Sequence, residues 1–241
     1  MQEEPDPQLG RALVEQVFEL WVNPELKRRG LQLSRDEITQ VVVEMPAHDG
    51  DLMVSLNQDA EIVAMTTAKR DLRAGETVYL EDIDQISDIY PTNVDPNSGW
   101  ICYVRMDGRE LVTFDLRPNK AKASALLQKA KEYLEVAKSA AHHSPDVSLD
   151  NAHSAAELTV QAQMLLVRNE TNNHRVRRRW FAGWTELENS PQHHSDLLFD
   201  LANQRSAARY GVERVTLKPG RLEEILETVQ EMVEAATIRI T

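Results

Sequence analysis

The sequence predicts an α+β protein in which a small N-terminal antiparallel β domain with a leading helix is followed by an all-α helical bundle. Short apolar runs separated by turn residues occupy positions 38–117, and amphipathic helical patterns occupy the chain after Asn119. The charge changes at the same place, because residues 1–117 hold 11 basic and 23 acidic side chains whereas residues 118–241 hold 16 of each. We therefore expect two domains, 1–117 and 118–241, in a chain long enough to bury a core in each.

The N-terminal domain is predicted to begin with one helix and to continue as strands. The helix shows a stripe of apolar residues three and four positions apart, formed by Leu13, Val14, Val17, Phe18, Trp21 and Val22. Strands are predicted at 41–45, 52–56, 61–67 and 77–80, where β-branched and apolar residues lie between turn-forming Asp, Gly and Asn. The clearest hairpin joins 101–106 to 109–116 through Asp107-Gly108, because this pair accepts the positive φ angles of a type I′ turn.

Five helices are predicted in the second domain. The first covers about 120–141 and buries a face formed by Leu126, Leu127, Ala130, Leu134, Ala137 and Ala141. The second begins behind Asp150 or Asn151, either of which can cap it, and continues to Val167. The last three cover about 175–188, 191–209 and 219–236. Because no repeat of 20–50 residues is present, a helical solenoid is not expected.

Several classes of protein are excluded by what the sequence lacks. It shows no cationic, apolar leader and no run of about 18 apolar residues, so we expect a cytoplasmic protein that makes no use of a membrane. The single cysteine, Cys102, lies in an apolar run and is expected to pack rather than to form a disulfide. A Gly-rich phosphate loop, a Gly-x-Ser-x-Gly turn and an Asp-rich calcium loop are absent, which argues against an NTPase, a serine hydrolase and a calcium sensor.

No metal ion and no cofactor are expected. The histidines that are adjacent in sequence, His142-His143 and His193-His194, lack a Cys or carboxylate at the spacing of a known zinc motif. Neighbouring side chains also rarely converge on one ion.

The segment 168–179, RNETNNHRVRRR, contains five arginines, one histidine and a single acid in a chain of net charge −12. Arginine binds phosphate through two parallel hydrogen bonds, and histidine changes its protonation near neutral pH. The cationic strip then runs into aromatic faces on which bases can stack. The RNA-binding residues predicted from this pattern are Arg175, Arg177, Arg178, Arg179 and Trp180. The alternative interpretation is a solvated basic turn.

Two other polar residues lie in the second predicted helix. Glu157 falls within the apolar stripe, so if it is buried it needs a cationic partner, which an arginine of the same domain would supply. His153 lies among alanines and is interpreted as a polar residue at the flank of the helix rather than as a ligand.

The helical half resembles the HEPN domain, a helical module named for higher eukaryotes and prokaryotes nucleotide binding. The resemblance is carried by ALLQKAKEYLEVAKSA at 125–140, DNAHSAAELTVQAQMLL at 150–166 and LLFDLANQRSAARYG at 197–211. It covers about residues 118–236, while the N-terminal half is not recognised as a member of any family.

HEPN ribonucleases carry an Arg, usually followed by a polar residue, and then a His after four to six intervening residues. Arg168, Asn169 and His174 fit this pattern with five residues between the Arg and the His. The resemblance implies metal-independent RNA cleavage by a homodimer of the toxin-antitoxin or antiviral-defence type. In that chemistry a 2′-hydroxyl attacks the adjacent phosphate, His174 acts as general acid or base, Arg168 stabilises the charge on phosphate and Asn169 orients the imidazole or the phosphate.

Two other functions remain open at this point. Many HEPN proteins are non-catalytic, so the bundle could bind a nucleotide, RNA or protein partner without chemistry, or it could serve as a plain dimerisation device. The acidic N-terminal domain is expected to stay off nucleic acid or to face a basic protein partner.

Overall fold

Helix, sheet and helical bundle follow one another along the chain, which confirms the predicted α+β class. The computed structural model describes residues 7–48, 50–106, 108–210 and 216–240. Contacts between Cα atoms divide the chain into two units, Met1–Pro118 and Asn119–Thr241.

The first unit begins with helix α1 (Pro7–Val17), which passes through a π-helical turn (Phe18–Val22) into α2 (Asn23–Arg29). Among the described residues six strands follow: β1 (Gln40–Met45), β2 (Met53–Leu56), β3 (Ile62–Ala68), β4 (Ile83–Pro91), β5 (Gly99–Met106) and β6 (Arg109–Asp115). Four of them form an antiparallel sheet in the order β2-β1-β5-β6, and β3 pairs with β4 in a separate two-stranded ribbon.

The apolar stripe of the leading helix covers one face of the four-stranded sheet. The ring of Phe18 packs edge-on against that of Tyr103 with centroids 5.2 Å apart. The buried residues that join helix and sheet are Val14, Val17, Phe18, Val22, Leu26, Ile38, Val41, Val43, Leu56, Ile101 and Tyr103. Cys102 points to a second, smaller cluster with Val42 and Ala60, where burial raises the pKa of its thiol to about 12. The packing role predicted for Cys102 is therefore confirmed.

One predicted strand of this unit is wrong, and one observed strand was not predicted. Residues 77–79 are irregular and Leu80 begins a short 3₁₀ turn, while β4, which was not predicted, pairs with β3. Most side chains of this ribbon are exposed. Its sequence therefore lacks the alternation of apolar and polar residues by which a half-buried strand is recognised. The predicted hairpin of β5 and β6 is present, with Met106 opposite Arg109; Gly108 has φ +71°, and Asp107 lies outside the described residues.

The second unit consists of α3 (Lys120–Ala140), α4 (Pro145–Leu165), α5 (His174–Glu186), α6 (Gln192–Tyr210) and α7 (Arg221–Ile240). Helix α4 is central because it packs against each of the other four. Its buried small residues, Ala152, Ala155, Ala156 and Ala162, allow these helices to approach closely. The predicted face of α3 is buried at Leu127, Ala130, Leu134 and Ala137.

Helix α4 starts earlier than predicted. It begins at Pro145 rather than behind Asp150 or Asn151. Proline is favoured in the first turn because its fixed φ suits a helix and no hydrogen bond of its backbone nitrogen is needed there. None of the helices in the described part of the chain is long and apolar enough to cross a bilayer.

Candidate functional site

The predicted Arg-to-His motif spans the connection between α4 and α5. The backbone N–H of Arg168 donates to the carbonyl of Leu165 (3.2 Å), and that of Asn169 donates to the carbonyl of Met164 (3.0 Å). This pair of bonds is a Schellman motif, which requires a left-handed residue at its corner and usually has glycine there. Arg168 occupies that corner with φ +55°. A non-glycine residue in this conformation is strained, and such strain is concentrated at functional positions.

Asn173 fixes the start of α5 and with it the position of His174. Its side-chain Oδ1 accepts hydrogen bonds from the backbone N–H groups of Arg175 (2.9 Å) and Val176 (3.3 Å). Asn173 is therefore the N-cap, and His174 is the first residue of the helix. The asparagine with this structural function is not Asn169, whose backbone N–H closes the preceding helix.

The buried carboxylate of Glu157 connects α4 to α5. Its Oε2 accepts a hydrogen bond from Nδ1 of His174 and lies 3.3 Å from Nη1 of Arg177. Both partners project from the first turn of α5, three residues apart and so on the same face of the helix. Glu157 is 4% exposed and Arg177 is 7% exposed. The prediction that a buried Glu157 takes an arginine of the same domain as its partner is confirmed.

His153 adds an uncharged imidazole to this cluster. It lies one helical turn before Glu157, is 2% exposed, and places its Nε2 3.8 Å from Oε1 of Glu157. Burial lowers the pKa of His153 to about 4, although the nearby carboxylate opposes that shift. The sequence interpretation of His153 as a residue at the flank of the helix is therefore wrong.

This arrangement defines which nitrogen of His174 is available for proton transfer. An ionised carboxylate can only accept hydrogen bonds, so it is Nδ1 of His174 that carries the proton of this hydrogen bond. The second ring nitrogen, Nε2, is then left to exchange protons. The His174 side chain is 47% exposed, whereas that of Glu157 is 6% exposed. A solvent-accessible imidazole oriented by a buried carboxylate is suited to general acid–base catalysis.

The arginines of the basic strip differ in exposure. Arg175 and Arg179 are exposed, as is Arg168 in the preceding loop. Arg178 is half-buried, with its guanidinium 6.0 Å from the ring centre of Phe199. Arg177 is buried in its ion pair with Glu157, so the structure gives it a role in holding α5 to α4 in place of the solvent-facing RNA contact expected from the sequence.

Trp180 offers only part of its ring to a ligand. It is half-buried against the bundle core and stacks on Trp184, with centroids 5.0 Å apart and an interplanar angle of 18°. One ring face is therefore covered by Trp184, and base stacking is restricted to the remaining surface.

Sequence reasoning missed two residues that shape the site, His153 and Asn173. His153 and Glu157 are four positions apart, a spacing that places both on one face of α4. Asn173 directly precedes the helical pattern that starts at His174, and asparagine is one of the preferred N-cap residues. Both signals were present in the sequence.

Comparison with known proteins supports one family for the helical unit. A model of the HEPN domain family matches residues 123–239, so the resemblance predicted for the C-terminal half is confirmed. No family model matches the N-terminal half. No curated protein matches the sequence.

Proposed function

From the HEPN domain at residues 123–239, we propose that the protein is a metal-independent endoribonuclease that acts as a homodimer. HEPN domains often act as ribonucleases or nucleotide-binding modules. The observation that carries the proposal is the hydrogen bond from Nδ1 of the half-exposed His174 to the buried carboxylate of Glu157. We place the activity in the cytoplasm, a reducing compartment that suits the buried free thiol of Cys102. The function proposed there is in a toxin-antitoxin or antiviral-defence system.

The proposed reaction is an internal transesterification of RNA. A base removes the proton of the ribose 2′-hydroxyl, whose oxygen forms a bond to the adjacent phosphorus. The bond from phosphorus to the 5′-oxygen of the next nucleotide breaks, and an acid protonates that oxygen. The products are a 2′,3′-cyclic phosphate and a free 5′-hydroxyl. His174 supplies acid or base through Nε2, and Arg168 neutralises charge on the phosphate, while Asn169 orients the phosphate or the imidazole.

The need for both an acid and a base supports a homodimer. In the described part of one helical unit, this cluster offers a single solvent-accessible imidazole, that of His174, because His153 is buried. A second copy of the chain would supply a second His174. One imidazole could then accept the 2′ proton while the other donates to the leaving oxygen.

The path of the RNA is proposed along the exposed arginines beside His174. Arg168, Arg175 and Arg179 are exposed, Arg178 is half-buried, and Trp180 adds the uncovered part of its ring. Each arginine that contacts a phosphate releases a counterion, so affinity should fall steeply with salt. Arg177 is left out of this set because its guanidinium is buried against Glu157.

The test is cleavage of single-stranded RNA by the purified full-length protein in the presence of a chelator. We expect products ending in a 2′,3′-cyclic phosphate, loss of cleavage in His174→Ala, and a rate reduced about 10²–10⁴-fold in Glu157→Gln. The exposed His143 provides the control, since His143→Ala should cleave normally. Cleavage that needs an added metal ion and is unchanged in His174→Ala would contradict the proposal.

The same experiment identifies the non-catalytic alternative. A binding module would bind RNA or a nucleotide without cutting RNA, and His174→Ala would leave the affinity unchanged. Charge reversal at Arg178 and Arg179 would weaken that binding, and each lost phosphate contact would reduce the slope of log K against log salt by about one.

A further inference from the structure

We propose that the protein binds one divalent cation of the zinc class between α6 and α7, through His193, His194 and Glu231. The two histidines lie in the first turn of α6, and the carboxylate projects from the middle of α7. One ligand atom from each residue lies within 4.8 Å of the others. This group is separate from the cluster around Glu157 and has no part in the proposed RNA cleavage.

The convergence of the two histidines differs from the expectation based on sequence. Adjacent residues of a helix point in different directions, so neither imidazole was expected to share an ion with the other. In the structure both rings reach the same carboxylate oxygen: Nε2 of His193 lies 3.2 Å and Nε2 of His194 lies 3.5 Å from Oε2 of Glu231. The two rings meet edge to face with centroids 4.5 Å apart.

The strongest indication of a ligand is the state of His194. Its side chain is 4% exposed, and its buried Nε2 makes no hydrogen bond of normal geometry, since its polar neighbour is the carboxylate oxygen of Glu231 at 3.5 Å. A buried polar atom that lacks a good hydrogen bond is costly, and in native proteins such an atom usually has a specific function, of which binding an ion is one. The other ring nitrogen, Nδ1, lies 3.0 Å from Oγ of Ser190.

The contact with Ser190 prepares His194 to bind a metal ion. If Nδ1–H donates to the hydroxyl of Ser190, the lone pair of Nε2 points into the cluster. Metal-binding histidines usually donate their second N–H in this way, which fixes the ring and its tautomer.

Ligand type and spacing both favour zinc. Two imidazole nitrogens and one carboxylate oxygen form a ligand set found in zinc sites with one open position. With ligands about 2.0–2.2 Å from the ion, the ligand atoms of a tetrahedral site are about 3.4 Å apart. The separations of 3.2 and 3.5 Å from Glu231 are close to that value. His193 and Glu231 are more than half exposed, which leaves the fourth position open to water.

The bound cation would join the start of α6 to α7 and so stabilise the bundle. The experiment uses the untagged full-length protein after removal of metals by a chelator and dialysis. Zn²⁺ binding is measured by calorimetry and by the shift in Tm, and Co²⁺ provides the visible absorption of a tetrahedral site. We expect one ion per chain and a rise in Tm that grows with Zn²⁺ concentration.

The variants His193→Ala and Glu231→Gln change half-exposed side chains and should leave the fold intact. We expect each to weaken Zn²⁺ binding at least about tenfold. The adjacent exposed histidines His142 and His143 provide the matched control, and their joint replacement by alanine should leave the affinity unchanged.

Three results would overturn the proposal: no Zn²⁺ binding, unchanged affinity in both ligand variants, or affinity lost in His174→Ala instead. The last result would place the ion at the cluster around Glu157.

Discussion

The ion pair of Glu157 and Arg177 allows a quantitative test of the site, beginning with Glu157→Gln. This substitution keeps the volume of the side chain and removes its charge, leaving the guanidinium of Arg177 buried and without a counter-charge. Breaking a buried pair in this way typically costs about 3–5 kcal/mol. A single hydrogen bond of 3.3 Å joins the two side chains, so we expect a loss near the lower end, about 3 kcal/mol at pH 7.

The complementary variant, Arg177→Met, should cost less because Glu157 retains a partner. His174 already donates a hydrogen bond to the carboxylate, so Glu157 is not left without a polar partner. We expect a loss of about 2 kcal/mol. The double variant removes both charges and replaces the pair with neutral side chains of similar size. No unpaired buried charge then remains, so the double variant should lose no more than about 1 kcal/mol.

The assay is urea unfolding followed by circular dichroism. Hydrogen exchange of peptides from α4 and α5 assigns the transition to the helical unit. Glu223 is exposed on α7, and Glu223→Gln provides the matched control, with an expected change below about 0.5 kcal/mol. Single-variant losses that simply add in the double variant would refute the reasoning, because additivity means that the two charges do not interact. A loss below about 1 kcal/mol in Glu157→Gln would refute it as well.

Three more predictions concern His153, Arg168 and Gly99. Burial lowers the pKa of His153 from 6.5 to about 4, so the folded protein resists protonation of this imidazole more than the unfolded chain does. The free energy of unfolding should therefore fall as the pH drops from 6.5 toward 4, by up to about 3 kcal/mol. In His153→Leu the difference between the unfolding free energies at pH 7 and pH 5 should be smaller than in the wild type. Arg168→Gly and Arg168→Ala both remove the guanidinium and should reduce RNA cleavage equally, but the glycine variant should unfold with about 1 kcal/mol more free energy because φ is +55°. A Cβ at Gly99 would lie 3.2 Å from backbone atoms of Leu116. Gly99→Ala should therefore lower the free energy of unfolding of the N-terminal unit by about 1–3 kcal/mol, which a lower Tm would reveal.

The bundle was more accessible to sequence reasoning than the sheet. The 3.6-residue period of α3 predicted its buried face because each turn of that helix packs against the core. The ribbon of β3 and β4 is held by backbone hydrogen bonds between its own strands, and its exposed side chains need no apolar alternation. For this reason β4 was missed.

The candidate site was partly predictable. The sequence predicts the spacing of Arg168 and His174, the arginine-rich segment and the need of Glu157 for a cationic partner. The partners of that carboxylate are not, because His174 and Arg177 lie 17 and 20 residues away and meet Glu157 only when α5 packs on α4. Sequence also could not separate the buried Arg177 from the exposed Arg175 and Arg179, which carry the same charge in the same run.

By itself the sequence determined the α+β class, the five helices of the second unit and its HEPN resemblance, because these depend on local periodicity and on the order of short motifs. Tertiary packing alone decided which titratable groups meet. It placed the half-exposed imidazole of His174 and the buried imidazole of His153 beside Glu157. It also brought His193 and His194 to the carboxylate of Glu231 on α7. The physical reason is that protonation, ion pairing and metal binding depend on distances of a few ångströms between side chains from different helices, and a linear pattern does not specify those distances.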